Sequence, residues 1–506
     1  MLHHIIYKRY FLQNAARTIA IVFTITLALL TLPLPKGMAQ ESNTVEQLQQ
    51  QSRPVNLTQA INVALANNIQ IKRSLLSVKG ADQQVRTAWS GVLPEVTASA
   101  SYARNIELPV FFFPADPTDP NSPLRAIQAG DDNNWNGGIT VEQNLFSGEV
   151  FVGISSSQIF KAVQAENLRA TTQDIVTQTR IAYYNVLIAE QQLQLQQESI
   201  SRLRENVEEN RIRQEAGLVD RYTVLQVEVQ LSNQEPQLTQ AKYAIEKAYR
   251  ELKLTMGIPV DLSIRVKGNL GSFNILSTTA ANEVNQSIKK VNSLTPYSFE
   301  REQQLINIAA DLRGDIRVIE TQNKLKEQEI KAIRSRYLPT LSTRYNINYR
   351  AEEPGAPTFF GSSDNRVRTQ AVTLNLEVPI FQGFRRDANI QTARIEKRDL
   401  ELQKEFAVLS AKNEIETARE NLNEAIETAP AREKALEQSQ EGYDRARKRL
   451  ENGLGAQLDV TEAEFQLRQA ELNYAQTVYN YLAAKARYDQ AIGMVPFVDK
   501  SKPKLD

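Results

Sequence analysis

The side chains best able to do chemistry in this chain are charged groups at two short turns. Asp459 and Glu462 stand three residues apart at the start of a helical pattern, which places both on one face. The same spacing also suits plain capping, with Asp459 as N-cap and Glu462 as its capping-box partner. In the other turn Asp220 and Arg221 are adjacent opposite charges. Histidine and cysteine contribute nothing further. The only two histidines are His3 and His4, and there is no cysteine. Both histidines lie in a segment that reads as a secretory signal, so the mature chain would lack imidazole bases, thiolate nucleophiles and the usual zinc ligands. We expect no catalytic residue, cofactor or metal.

The two turns are copies of one another. Arg447–Leu467 repeats Arg211–Leu231, with Gly217 and Gly453, Val224 and Val460, and Glu228 and Glu464 all at an offset of 236. Each copy is a polar helix, a Gly-Leu turn after a basic helical end, and a second helix beginning at about Thr223 or Asp459. These are the marks of an antiparallel helical hairpin. The turn residues Gly217, Leu218, Val219, Gly453, Leu454 and Gly455 combine backbone accessibility with an exposed apolar knob, suited to docking a partner, although C-capping alone would also explain the glycines.

The elements that position these turns follow from composition and period. In residues 1–39 a basic start (His3 to Arg17), an apolar run Ile19–Leu32 and Gly37-Met38-Ala39 form a signal peptide cut after Ala39. The competing reading is a retained anchor, but the run of 14 residues is short of the roughly 20 a helical span needs. Removal of Lys8, Arg9, Arg17 and Lys36 leaves 55 basic against 59 acidic residues, a net charge of −4. There is no basic excess for nucleic acid. With no apolar helix long enough to span, entry into a membrane would require a closed β-barrel.

After a flexible leader (40–56), residues 57–256 form one unit: an amphipathic helix ending at Leu93-Pro94, strands at about 95–107 and 137–146, a long helix 150–216 and a helix 221–256. The proline-rich stretch 108–136 between the strands reads as an exposed loop. A connector (257–299) holds a short strand at Leu262–Val266. Residues 300–493 repeat the plan, with Leu338-Pro339, strands at about 340–350 and 369–381, a long helix 384–452 and a helix 458–492, before a tail at 494–506. Seams at Ile175, Thr179, Ala182, Val186, Ala189 and Leu193, and from Val460 through Leu467, Tyr474 and Tyr481 to Tyr488, keep coiled-coil spacing. Pro236 and Pro430 should kink their helices. Each long helix spans about 100 Å at 1.5 Å per residue.

The four strands alternate apolar and polar residues over lengths that suit a tilted membrane strand. Tyr345, Tyr349, Phe146, Phe381 and Phe384 stand where an interfacial aromatic girdle would lie. Four strands cannot close a barrel, so several copies would have to share one. A soluble sheet packed on helices alternates in the same way and remains open at this point.

The ordered set of Leu57-Thr58-Gln59-Ala60, Ala66-Asn67-Asn68, the two Leu-Pro pairs, Leu145-Phe146-Ser147-Gly148, Ile380-Phe381-Gln382-Gly383, the two tips, and Met256-Gly257 and Ile492-Gly493 resembles the TolC-type outer-membrane efflux proteins over about residues 55–495. The fold class implied is mainly α with a membrane β-barrel. Long coiled-coil hairpins form a periplasmic tunnel, with four strands per chain, internally duplicated and closed as a homotrimer. The resemblance also implies outer-membrane lipid around the barrel and a periplasmic adaptor (membrane fusion protein) at the tips, leading to an inner-membrane pump of RND or ABC type. It places Asp459 and Glu462 in an acidic entrance ring. Some members carry Arg where this chain has Gly455, Tyr where it has Leu450, and an acid where it has Thr223, which puts a latch of that design in doubt and leaves Asp220 and Arg221 as a candidate gate ion pair in its place. The competing functions are a periplasmic coiled-coil adaptor without a pore and a carboxylate-based glycosidase. The two hairpins, the alternating strands and the scattered acids speak against both.

Overall fold

The computed structural model describes residues 54–115, 123–270, 299–360 and 365–496. The signal, most of the leader and connector, and nearly all of the tail fall outside the described residues. The chain begins with α1 (Leu57–Asn67), α2 (Ile69–Ser90) and β1 (Glu95–Arg104), then β2 (Val110–Pro114), β3 (Leu124–Gln128) and β4 (Asn133–Phe146). The long α3 (Gly148–Glu215) and α4 (Arg221–Met256) follow. The second half comprises α5 (Phe299–Leu312), α6 (Gly314–Ser335), β5 (Thr340–Glu353), β6 (Arg366–Glu377), α7 (Arg385–Glu451) and α8 (Gln457–Ala491).

The helix expected over 57–93 is broken at Asn68, whose extended backbone ends α1 and whose carboxamide caps α2 through Gln70 N at 2.8 Å. Its amide also donates to Thr255 O at 2.8 Å, tying the break to the end of α4. A matching break at Arg313 separates α5 from α6, and 313 lies 245 residues after 68, the same offset as the Leu-Pro pairs. Each break receives a left-handed glycine. A Cβ on Gly257 (φ +69°) would lie 2.5 Å from Asn67 O, and one on Gly493 (φ +73°) 2.9 Å from Arg313 N. Only glycine allows both that φ and that approach. Gln173 of α3 clamps the second break, donating to Leu312 O and accepting from Gly314 N, each at 2.9 Å.

The helices run through Pro236 and Pro430 without interruption. α3 is the central element, burying Ile175, Val176, Thr179, Ala182 and Val186 against its neighbours. α8 buries Val460, Leu467, Ala470, Thr477, Tyr481, Ala484 and Tyr488 at the expected spacing and leaves Ala463 and Tyr474 half-buried. Its seam with α3 is partly polar, which periodicity did not foretell. Buried Arg180 meets Asp489 at 2.9 Å, and Lys485 also pairs with Asp489.

β1, β4, β5 and β6 form one antiparallel sheet in the order β1-β4-β5-β6, so the two strand pairs are joined through β4 and β5. The stretch 108–136 is not wholly a loop. β4 already begins at Asn133, and Val110–Pro114 pairs with Leu124–Gln128 as a separate hairpin. Cross-strand pairs such as Phe111 with Ile127 outweigh the prolines, one of which (Pro114) sits at the end of its strand. The strand expected at Leu262–Val266 is a single parallel bridge from Val266 to Val55, so extended chain there pairs at one residue only.

Candidate functional site: helical tips and an amphipathic sheet

Both tips close in the same way. After α3, Gly217 takes φ +73°, its N–H bonds to Gln214 O at 2.9 Å, and Leu218 N–H reaches Arg213 O at 2.8 Å. After α7, Gly453 takes φ +71°, with Gly453 N to Leu450 O at 3.1 Å and Leu454 N to Arg449 O at 2.8 Å. These are Schellman motifs, in which a left-handed glycine lets the last carbonyls find donors. The closure thrusts Leu218 and Leu454 into solvent at 75% and 73% exposure. A Cβ on Gly217 or Gly453 would meet nothing within 4 Å, so within the chain their backbone conformation alone demands glycine. Val219 follows in the first turn, and a Cβ on Gly455 would lie 3.2 Å from Arg449 Cβ and from Leu450 N.

The helices that leave the tips start differently. Asp220 is the N-cap of α4, accepting from Thr223 N at 2.9 Å and Thr223 Oγ1 at 2.7 Å. The hydroxyl and then the backbone donor of Thr223 hold its carboxyl below the ordinary value. Arg221 turns instead to Glu228 at 3.8 Å, which Arg211 also binds at 2.7 Å. Within one chain, therefore, Asp220 and Arg221 are engaged with other groups. In α8 the N-cap is Ala456, which has no side-chain acceptor. Asp459 sits at the third helical position and accepts from Ala456 N at 3.2 Å, so it performs only the returning half of a capping box. Glu462 accepts from Gln466 at 2.7 Å. Both acids remain exposed on the same side of the helix.

Polar side chains that sequence reasoning passed over hold the tips side by side. Gln457 accepts from Asn210 at 2.9 Å and donates to Asn206 at 2.8 Å, all three buried between α8 and α3. Glu464, 2% exposed, accepts from Ser199 Oγ at 2.6 Å and from Arg202 at 3.4 Å. Arg202 also binds Glu471 at 3.2 Å, and burial keeps the Glu471 carboxyl above the usual range despite that cation. The one available signal was the repeat itself, which aligned Glu464 with Glu228.

At the other end the sheet separates two chemistries. One face carries rows such as Val96–Val141–Tyr345–Val372 and Ala98–Ile139–Ile347–Gln370. The opposite face carries Thr97–Thr140–Asn346–Ala371 and Glu95–Glu142–Arg344–Thr373, with Arg344 on Glu142 at 3.0 Å. No helix covers the apolar face: Val96, Val372, Leu374 and Leu376 are 64%, 75%, 65% and 62% exposed. A sheet packed on helices would bury such a face, whereas this one is left open to lipid or to another protein. Aromatic side chains border it at both ends. Phe146 meets Phe151 at 6.1 Å and Phe381 meets Phe384 at 5.5 Å near the helices. At the far end Trp135 meets Tyr102 at 4.3 Å in a tilted contact, with Phe359 edge-on at 5.4 Å and Phe360 tilted at 6.1 Å. This far cluster was missed because Phe359 and Phe360 arrive from a loop, over Gly137, where a Cβ would lie 3.3 Å from the Phe360 ring. Among the described residues no helix is long and apolar enough to cross a membrane.

A sheet with a bare apolar face, carried on helical hairpins of about 100 Å, defines a membrane-associated channel protein. The family model described as "Outer membrane efflux protein" matches residues 60–258 and 305–494, and the chain belongs to that family. It is 22% identical over 452 residues to the outer membrane protein TolC of Vibrio cholerae, covering 87% of this chain and 90% of that protein. It is 20% identical over 454 residues to the alkaline protease secretion protein AprF of Pseudomonas aeruginosa, covering 89% and 87%. The fold is that of the Campylobacter jejuni CmeC outer membrane channel, with a TM-score of 0.69 at 18% identity over 93% of this chain and 96% of that one. The protein is thus an efflux or secretion channel of the outer membrane whose helices extend into the periplasm. Members of the family are channels rather than enzymes, and they work with adaptors and pumps in tripartite efflux and type I secretion.

Proposed function

We propose that three copies of this chain close one channel-tunnel, which receives small molecules or proteins from a periplasmic adaptor and an inner-membrane pump of RND or ABC type and releases them outside. The observation that carries this reading is the four-stranded sheet with a bare apolar face and two unpaired edges, β1 and β6. Free edges of this length invite pairing with another chain. The smallest membrane barrels need about eight strands, so one chain is too few. In the internally duplicated trimer, β1 of one copy would pair with β6 of the next, with lipid against the Val96–Val372 rows and water against the Thr97–Asn346 rows.

At the other end the exposed Asp459 and Glu462 would form acidic rings at the tunnel mouth. Gly217, Leu218, Val219, Gly453, Leu454 and Gly455 would meet the adaptor through apolar knobs presented on tight turns. Asp220 and Arg221 would act as a gate pair only between copies, since each is occupied within its own. The deciding experiment is conductance of the purified mature protein in a planar bilayer. Discrete cation-preferring steps are expected, with the preference lost in Asp459→Ala/Glu462→Ala and a higher open probability in Asp220→Ala. A well-folded oligomer that gives no steps, and does not fractionate with the outer membrane, would overturn the channel reading.

A further inference from the structure

The polar face of the sheet ends, at the junction with the helices, in a cavity of about 260 Å³. Its charged lining consists of Glu149, Arg336, Glu377, Arg385 and Arg386, three guanidinium groups against two carboxylates. Glu149 is already paired with Arg336. Arg385 and Arg386 both turn to one neutral acceptor, Gln382 Oε1, at 3.3 and 3.0 Å. Among the described residues neither makes an ion pair. Arg386 is only 6% exposed, its guanidinium lies 4.7 Å from the centre of the Tyr337 ring, and its Nη2 is buried without a hydrogen-bond partner. A buried guanidinium with an unused donor, next to a second one, is costly unless an acceptor arrives.

The backbone adds to the same field. Ser147 and Arg385, at the N-termini of the 68-residue α3 and the 67-residue α7, both line the cavity. Neither N-cap, Ser147 or Phe384, supplies a side-chain hydrogen bond to its helix. Two helix N-termini converge on one space, the arrangement that receives anions, although the first amide of α7, that of Arg385, already donates to Gln382 O at 3.2 Å. Glu149 and Asp387 in the two first turns offset part of this field, and Glu377 opposes it directly.

The cavity belongs to the water side. Glu377 pairs with Thr340, while the neighbouring Leu376 and Leu341 occupy the apolar face. Glu149 lies two residues, about 200° around the helix, from Phe151, which packs on Phe146.

We propose that this cavity binds an anion of phosphate or carboxylate size, so that the channel carries an anion station on its water face between the helical tunnel and the sheet. The proposal rests on the channel reading for the word "water", not for the binding itself. Arg386 is the fixed guanidinium, Arg385 the exposed one that closes over the ligand, and Gln382 the spacer that holds them together. Soluble anions and lipid headgroups share this chemistry, and the geometry favours a soluble one.

Equilibrium dialysis of the full chain in neutral detergent against radiolabelled inorganic phosphate tests the site. Saturable binding is expected at one phosphate per chain, weakened at least tenfold by Arg385→Gln and by Arg386→Gln, and unchanged by Arg344→Gln on the same sheet face. Should Arg386→Gln fail to fold, the surface variant Arg385→Gln decides alone. Glycerol phosphate should displace the label. Displacement only by micellar phosphatidylglycerol would overturn the water-side placement. Absence of saturable binding, or binding equal in the Arg385 variant, would overturn the site. A conducting channel that binds no phosphate sinks this proposal only, whereas phosphate binding by a protein that neither conducts nor fractionates with the outer membrane sinks the channel reading only.

Discussion

Glu228 and Glu464 occupy the same position of the repeated tip, yet they live in different surroundings. Glu228 lies at the surface between Arg211 and Arg221, and the hydrogen bond from Arg211 lowers its pKa. Glu464 is enclosed between α8 and α3 with Ser199 and Arg202. Its removal leaves the buried Ser199 hydroxyl without its acceptor and takes from Arg202 one of its two carboxylates. Glu464→Ala should therefore cost roughly 2–3 kcal/mol, read as a lower urea midpoint. Glu228→Ala should leave the midpoint almost unchanged, as exposed pairs usually do. Tyr183 supplies a pH dependence. Its phenol is buried, donates to Val55 O and Lys267 O, and is pushed up to about 12 by burial. A raised pKa favours the neutral form in the fold. Its contribution is complete below about pH 10 and disappears as pH rises through about 12. Thermal melts across that window should fall steeply, and Tyr183→Phe should flatten the fall.

At the scale of elements, the tips and the breaks are the informative units. The Gly-Leu turns were legible because a left-handed glycine after a basic helical end has few other uses. The helix starts beyond them were nearly as legible, with α4 at the expected Arg221 and α8 one residue early at Gln457, but the cap was not: Asp459 occupies the third position of α8 and Ala456 the N-cap. The breaks at Asn68 and Arg313 were hidden, because amphipathic spacing continues across them and only the contact with Gly257 or Gly493 reveals the joint. The tip itself yields a test. Leu454→Asp should abolish efflux in a complementation assay and lose the adaptor in pull-downs, while the amount of assembled channel is unchanged. Efflux at the parental level would reduce the glycine and leucine to a helix stop.

For the whole molecule, the surfaces left bare by one chain are the strongest guide to assembly. Beyond the sheet, α7 exposes Ile395, Leu402, Phe406 and Leu409 at 70%, 49%, 73% and 66%, a stripe at helical spacing with nothing over it. In the proposed trimer this stripe meets a neighbouring copy. Phe406→Asp should shift the detergent-solubilised protein from trimer to monomer in light scattering, with little change in helical content. A trimer of parental stability would move the interface elsewhere.

What the sequence alone determined about this protein was local or repeated: the period of two in the strands, the four-three seams of α3 and α8, and the duplicated tips. Each follows from short-range geometry, which a single stretch of chain already contains. Tertiary structure decided which faces stay bare, which of two equivalent glutamates is buried, and which arginines converge on one cavity. Those depend on partners far along the chain, such as Glu414 for Arg313, 101 residues away, and Asp489 for Arg180, 309 residues away. Periodicity assigns a residue to a face of its own helix or strand, but packing between distant elements decides what that face meets.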